Sequence, residues 1–194
     1  MGQDYVTSIR EQREQKAAYF AESPRSPIPH TAQSEFPGLD YFPVDESMRF
    51  EVALHEHEDP DSLTVETTAG NAKEYLEWGE FAIEIDGEAV TLQAYKGDAS
   101  EDRLWVPFRD ETNGEETYAA GRYLDLERES HSRDGGWVLD FNEAYNPTCA
   151  YNEGYECPLI PMENWLDVRI EAGEKDFQAN RTIRITTDRR RPAD

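Results

Sequence analysis

From about residue 48 the chain alternates apolar and polar residues with a period of two, in short runs broken by turn dipeptides. This constrains the fold more than any other feature, because a period of two places every second side chain on one face of a strand. Phe50, Val52 and Leu54 alternate with Arg49, Glu51 and His55. The sequence EDPD then turns the chain into a return strand through Leu63 and Val65. Phe81, Ile83 and Ile85 lead to Asp86-Gly87, a strong hairpin signal, and Val90, Leu92 and Ala94 continue beyond it. Leu104, Val106 and Phe108 form a further strand, in which Pro107 indicates an edge or a bulge. Asn113-Gly114 gives a second hairpin signal before a strand over 118–126, and Asp134-Gly135-Gly136 precedes one over 137–141. Leu166, Val168 and Ile170 alternate cleanly, as do Ile183 and Ile185.

About eight short strands at regular spacing predict a mainly β chain, an antiparallel β-sandwich or barrel. Helix-alternating βαβ units are absent, which argues against a parallel sheet. The exception is the start. Residues 4–22 are rich in Glu, Gln, Lys, Arg and Ala and end before Pro24, so they predict an N-terminal α-helix. Its apolar positions, Tyr5, Ile9, Tyr19 and Phe20, make a thin stripe suited to a surface contact. SPRSPIPH follows as an extended connector, and Phe36, Leu39, Tyr41 and Phe42 are expected to anchor it to the sheet. The organisation expected is one domain over 1–194: helix and proline-rich connector over 1–47, β domain over 48–188, basic tail over 189–194.

The 194 residues carry 42 Asp and Glu against 19 Lys and Arg, a net charge of −23, with the acids scattered along the chain. Only Lys16, Lys73, Lys96 and Lys175 are lysines; the other bases are arginines. That balance suits concentrated salt, where a Debye length of roughly 3 Å screens acid–acid repulsion. At low salt the same charge strains the compact state. A salt-adapted protein is therefore expected, and a nucleic-acid partner is not, since phosphate contacts need a basic face. The polar start lacks an apolar leader core, and no window approaches the ~20 apolar residues of a membrane span. A cytoplasmic protein with no membrane partner is expected.

The segment from Asp140 to Lys175 holds both cysteines, one of the four tryptophans and many Asn, Tyr and Pro residues. Between Asn142 and Asn164 it shows neither helical nor strand period. Long irregular segments in compact chains are uncommon and often functional. Cys149 and Cys157 admit four readings: buried apolar side chains, a disulfide or redox pair, a metal site, or a nucleophile. The histidines have no zinc-motif spacing; His55 and His57 share one strand face, as two metal ligands or as a solvated strand end. Asn142, Asn146 and Asn164 can line a ligand site or satisfy orphan backbone groups.

At DFNEAYNPTCAY, CPLIPMENWL and IEAGEK the chain resembles the domain-of-unknown-function family 1684 of archaea and bacteria. FPGLDYFP, PFRDETNGEETYAAGRYLD and the Ser-Pro pair near Ser23 extend the resemblance over nearly the whole chain. One departure is Ile160, where a proline commonly extends the Cys-Pro-Leu run. The resemblance implies a single domain of this length and no activity. Arg122, Asp140, Glu163 and Lys175 are charged residues inside the matching blocks. Arg122 and Asp140, on strands joined through the Asp134 turn, could form a structural ion pair or anchor an acidic ligand. The site expected is one cavity, between sheet and loop, formed by Arg122, Asp140, Asn142, Asn146, Glu163 and Asn164, with Lys175 nearby. It would bind a small polar or anionic ligand. The alternatives are a hydrolase using Asp140 and Glu163, with Cys149 as a further candidate, or an interaction protein without a pocket. No motif names a cofactor or an oligomeric state.

Overall fold

Two antiparallel sheets share one apolar core in the computed structural model, which describes residues 2–177. Helix α1 (Gly2–Glu22) comes first, then 3-10 turns at His30–Glu35 and Glu46–Met48. The strands are β1 (Arg49–Val52), β2 (Leu54–Glu56), β3 (Ser62–Glu66), β4 (Ala72–Ile85), β5 (Glu88–Lys96), β6 (Arg103–Phe108), β7 (Arg122–Glu127), β8 (Ser132–Arg133) and β9 (Gly136–Asp140). A single helical turn, α2 (Arg128–His131), links β7 to β8. The smaller sheet has the order β1-β9-β8; the larger runs β2-β4-β5-β6-β7, with β3 also paired to β4. The sheets are not closed into a barrel, and the arrangement is that of a sandwich. Among the described residues, no helix is long and apolar enough to cross a membrane.

The alternation explains the layers. Phe50 and Val52 of β1 and Trp137 and Leu139 of β9 meet Phe81, Leu92, Leu104, Val106, Phe108, Leu124 and Leu126 of the larger sheet in one core. The intervening residues of the smaller sheet, Arg49, Val138 and Asp140, face α1. The other face of the larger sheet carries Tyr95, Trp105 and Tyr123, which Ile160 and Tyr145 of the irregular segment cover. The outermost layers are therefore α1 on one side and residues 145–165 on the other.

Several expectations need correction. The apolar run from Phe50 to Leu54 is two strands in different sheets, because the chain crosses between them at Ala53. Asp86 and Gly87 do form a hairpin turn, with φ of 51° and 86°. Asn113-Gly114 instead sits in a compact turn, where Asn113 Nδ2 donates to Thr117 Oγ1 at 2.8 Å and to Tyr118 O at 3.0 Å; the following strand starts only at Arg122. Pro107 lies in an interior strand. Beyond the Tyr95–Trp105 pair the same register would set Gln93 opposite Pro107, which has no N–H to give. Asn164 takes its place: its Nδ2 donates to Gln93 O at 2.9 Å and Pro107 O at 2.7 Å, while its Oδ1 accepts Gln93 N at 2.8 Å. Leu166, Val168 and Ile170 are extended and pack on the core, held by isolated backbone bonds such as Glu111 N to Val168 O at 2.9 Å and not by a ladder. The connector aromatic Phe36 packs with Phe20, Tyr151 and Phe177, away from the sheet. Ile183, Ile185 and the basic tail lie outside the described residues.

Candidate functional site

The residues singled out from the sequence do not gather on one cavity. Arg122 is fully buried, and its partner is Asp110, not Asp140. Strands β7 and β9 belong to different sheets, so the turn at Asp134 cannot bring Arg122 and Asp140 side by side. The Arg122 guanidinium donates to Asp110 Oδ1 at 3.2 Å, to Ile170 O at 2.9 Å, to Glu174 O at 3.3 Å and to Ala172 O. Asp110 Oδ2 in turn accepts Ile170 N at 2.8 Å and Thr112 Oγ1 at 2.8 Å. Burial lowers the Arg122 pKa and Asp110 opposes that shift. This is a clamp that fixes the extended segment 168–174 on the core, with no face open to a ligand.

The other candidates also have structural partners. Asn142 bridges Asp45 N and O, Tyr5 and Asp140. Asn146 Nδ2 donates to Lys175 O at 2.8 Å. Lys175 sits over the Phe42 ring, 4.4 Å from its centroid, and 3.7 Å from Glu116. Glu163 is exposed on the turn that Asn164 pins to β5 and β6. His55 is exposed, and His57 Nδ1 lies 3.0 Å from Glu77 O. Among the described residues no group of three or more His, Cys, Asp or Glu is placed to hold a metal. Besides Asp140, Glu174 is a buried carboxylate of this segment. It accepts Lys16 Nζ at 2.6 Å, Tyr151 Oη and Asn146 N, so it ties α1 to the irregular segment. Gly173 makes the bend before it, at φ 78°; a Cβ there would lie 2.6 Å from Phe141 O.

Asp140 alone among the predicted acids opens onto a cavity. It lines a groove of about 500 Å³ beneath α1, with Tyr5, Gln12, Arg49, Asp125, His131, Arg133, Glu143 and Tyr145. A hollow of about 280 Å³ adjoins it and shares Ile9, Gln12, Glu143 and Tyr145. The helix contributes Tyr5, Ser8, Ile9 and Gln12, spaced three and four apart and so on one face. Three donor–carboxylate pairs converge here. Tyr5 Oη donates to Asp140 Oδ2 at 2.6 Å, Tyr145 Oη to Asp125 Oδ2 at 2.5 Å, and His131 Nε2 lies 3.0 Å from Glu143 Oε2. His131 Nδ1 lies 2.9 Å from Glu127 N and 3.3 Å from Glu127 O; in the neutral ring that accepts Glu127 N, Nε2 carries the proton directed at Glu143.

The electrostatics follow from these pairs. Burial raises the Asp140 pKa, against the hydrogen bonds from Tyr5 and Asn142. Glu143 raises that of His131, chiefly through their hydrogen bond. Burial raises both phenols, Tyr5 and Tyr145. Three carboxylates face two arginines and one histidine across the groove, so its charge is nearly balanced within a strongly acidic protein. The sequence offered little warning of it: Tyr5 and Asp140 lie 135 residues apart, and His131 and Glu143 flank different strands.

The two thiols form a separate feature. Both cysteines are free and buried. Cys149 N donates to Cys157 Sγ at 3.2 Å, and Tyr118 Oη lies 3.8 Å from Cys149 Sγ. The Cys149 thiol and two backbone N–H groups pull the Cys157 thiol down to about 6, while its hydrogen bond to Cys157 and burial push Cys149 up.

The fold has a counterpart among solved structures. The solution NMR structure of an uncharacterised protein from Haloarcula marismortui matches with a TM-score of 0.69 and 39% identity, covering 91% of this chain and 96% of that one. No curated protein matches. The model of a protein family of unknown function, DUF1684, matches residues 34–175, which include the irregular segment, both cysteines and Glu174 but not α1. A match over that span places the chain in this family: it is a DUF1684 protein.

Proposed function

We propose that the protein binds a small polar molecule in the groove between α1 and the smaller sheet. The observation that carries this reading is the convergence of three donor–carboxylate pairs, Tyr5–Asp140, Tyr145–Asp125 and His131–Glu143, on one open cavity. Ligand pockets are typically about 300–1,000 Å³ with a few converging polar groups, and this groove falls in that range. Its nearly balanced charge favours a ligand rich in both donors and acceptors, such as a polyhydroxylated or zwitterionic solute, over the simple anion expected from the sequence. Catalysis is less well supported. Both nitrogens of His131 are engaged, Glu163 lines no part of the groove, and Cys149 is buried elsewhere.

The net charge of −23 supports a cytoplasmic setting of concentrated salt and argues against a nucleic-acid partner. Thermal-shift measurements against a panel of polyols and zwitterions in high salt test the binding reading. A ligand at about 100 times its Kd stabilises by about 2.7 kcal/mol, which is about 5–10 °C in a domain of this size. The same solute should leave Gln12→Trp, which fills the groove from the face of α1 that lines it, unshifted. Equal shifts in both proteins would place binding elsewhere.

A further inference from the structure

We propose that Cys157 and Cys149 are an attacking and a resolving thiol, a site of thiol–disulfide exchange that accepts low-molecular-weight disulfides. It is independent of the groove. The Cys149 N–H is aimed at the Cys157 sulfur at 3.2 Å, and the Cys149 thiol and the Thr148 N–H favour its thiolate in the same sense. Such a set stabilises a thiolate, the nucleophilic form of cysteine. Lys73 adds favourable charge. Glu156, the adjacent carboxylate, is turned onto Thr67 Oγ1 at 2.6 Å. Tyr118, Tyr123 and Tyr145 are further titratable neighbours, and burial raises the pKa of all three phenols. Cys149 keeps its proton, between Cys157 and Tyr118 Oη. The pair is thus asymmetric, as attack followed by resolution requires.

The chemistry balances. The Cys157 thiolate attacks one sulfur of RSSR, forming a mixed disulfide and expelling RS⁻. The Cys149 proton passes to that thiolate, giving RSH. The Cys149 sulfur then attacks the Cys157 sulfur, breaks the mixed bond and releases a second RS⁻. The protein is oxidised by two electrons and RSSR is reduced. Access is local. Thr68 holds Cys157 through bonds to its N and O, residues 153–156 before it form an exposed turn, and both sulfurs are buried, so the exchange proceeds through local opening. Exchange is therefore slower than at an open thiol but directed to Cys157.

The test is incubation of the folded, reduced protein with oxidised glutathione, read by intact mass and peptide mapping. Wild type should lose two hydrogens and yield a Cys149–Cys157 cross-link, and Cys149→Ser should retain one glutathione on Cys157. Retention of both thiols, or adducts without the cross-link, overturns the proposal. Should the serine variant fail to fold, native alkylation of wild type with iodoacetamide decides. Cys157 should be modified faster than Cys149 by more than about tenfold; equal rates, or Cys149 first, overturn it.

Discussion

Replacing Arg122 by Ala separates a structural arginine from a ligand anchor. Both side chains of the Arg122–Asp110 pair have 0% exposure, so truncation leaves Asp110 charged and out of reach of water. Breaking a buried pair by removing one partner costs about 3–5 kcal/mol. The carbonyls of Ile170, Ala172 and Glu174 lose their guanidinium donor as well, at about 1 kcal/mol or more each. Some relief comes from Thr112 and Ile170, whose N–H groups still meet Asp110. The terms are not additive, and a net loss of about 4–6 kcal/mol is expected from them. Domain stabilities run about 5–15 kcal/mol, so Arg122→Ala should be close to unfolded. Urea unfolding followed by tryptophan fluorescence at constant high salt measures it. With a slope of about 2 kcal/mol/M, the midpoint should fall by about 2 M or more. Arg122→Met with Asp110→Asn removes both charges while keeping the packing on Phe108, and should recover much of the loss. A loss below about 1 kcal/mol for Arg122→Ala would refute the clamp and return Arg122 to the list of ligand anchors.

Asn164→Leu keeps the volume but strands Gln93 N, Gln93 O and Pro107 O, so a loss of about 2–4 kcal/mol in the same assay is expected. A neutral result would mean water replaces the amide. The His131–Glu143 pair makes stability depend on pH. Because the folded His131 pKa lies above the ordinary 6.5, its contribution is full below 6.5 and is lost as pH rises through the folded value. Thermal midpoints across neutral pH should fall in that window in wild type and not in Glu143→Gln. With a net charge of −23 the midpoint should also rise from dilute to molar potassium chloride; a flat or falling trend would remove the salt-adaptation argument.

The hairpin at Asp86-Gly87 was readable because its backbone requirement is local. The single alternation from Phe50 to Leu54 hid a change of sheet at Ala53, because periodicity reports which side chains are buried and not against what. Pro107 was expected to mark an edge or a bulge, but it lies in an interior strand, and the residue that takes over its missing bonds, Asn164, lies 57 residues away. Asn142, Asn146 and Asn164 satisfy backbone groups, one of the two roles their composition allowed. Arg122 was found as important and given the wrong partner, since nothing local distinguishes Asp110 from Asp140. The groove was missed because its pairs join elements far apart in sequence, Tyr5 with Asp140 above all. A helix with so thin an apolar stripe gave no reason to expect a site beneath it.

The most direct test of the account is untargeted mass spectrometry of small molecules released from protein purified in high salt, with wild type and Gln12→Trp processed side by side. The account predicts a polyhydroxylated or zwitterionic species, near stoichiometric with wild type and depleted in the variant. Equal recovery of the same species from both proteins, or its recovery only from the variant, would contradict a site in the groove beneath α1.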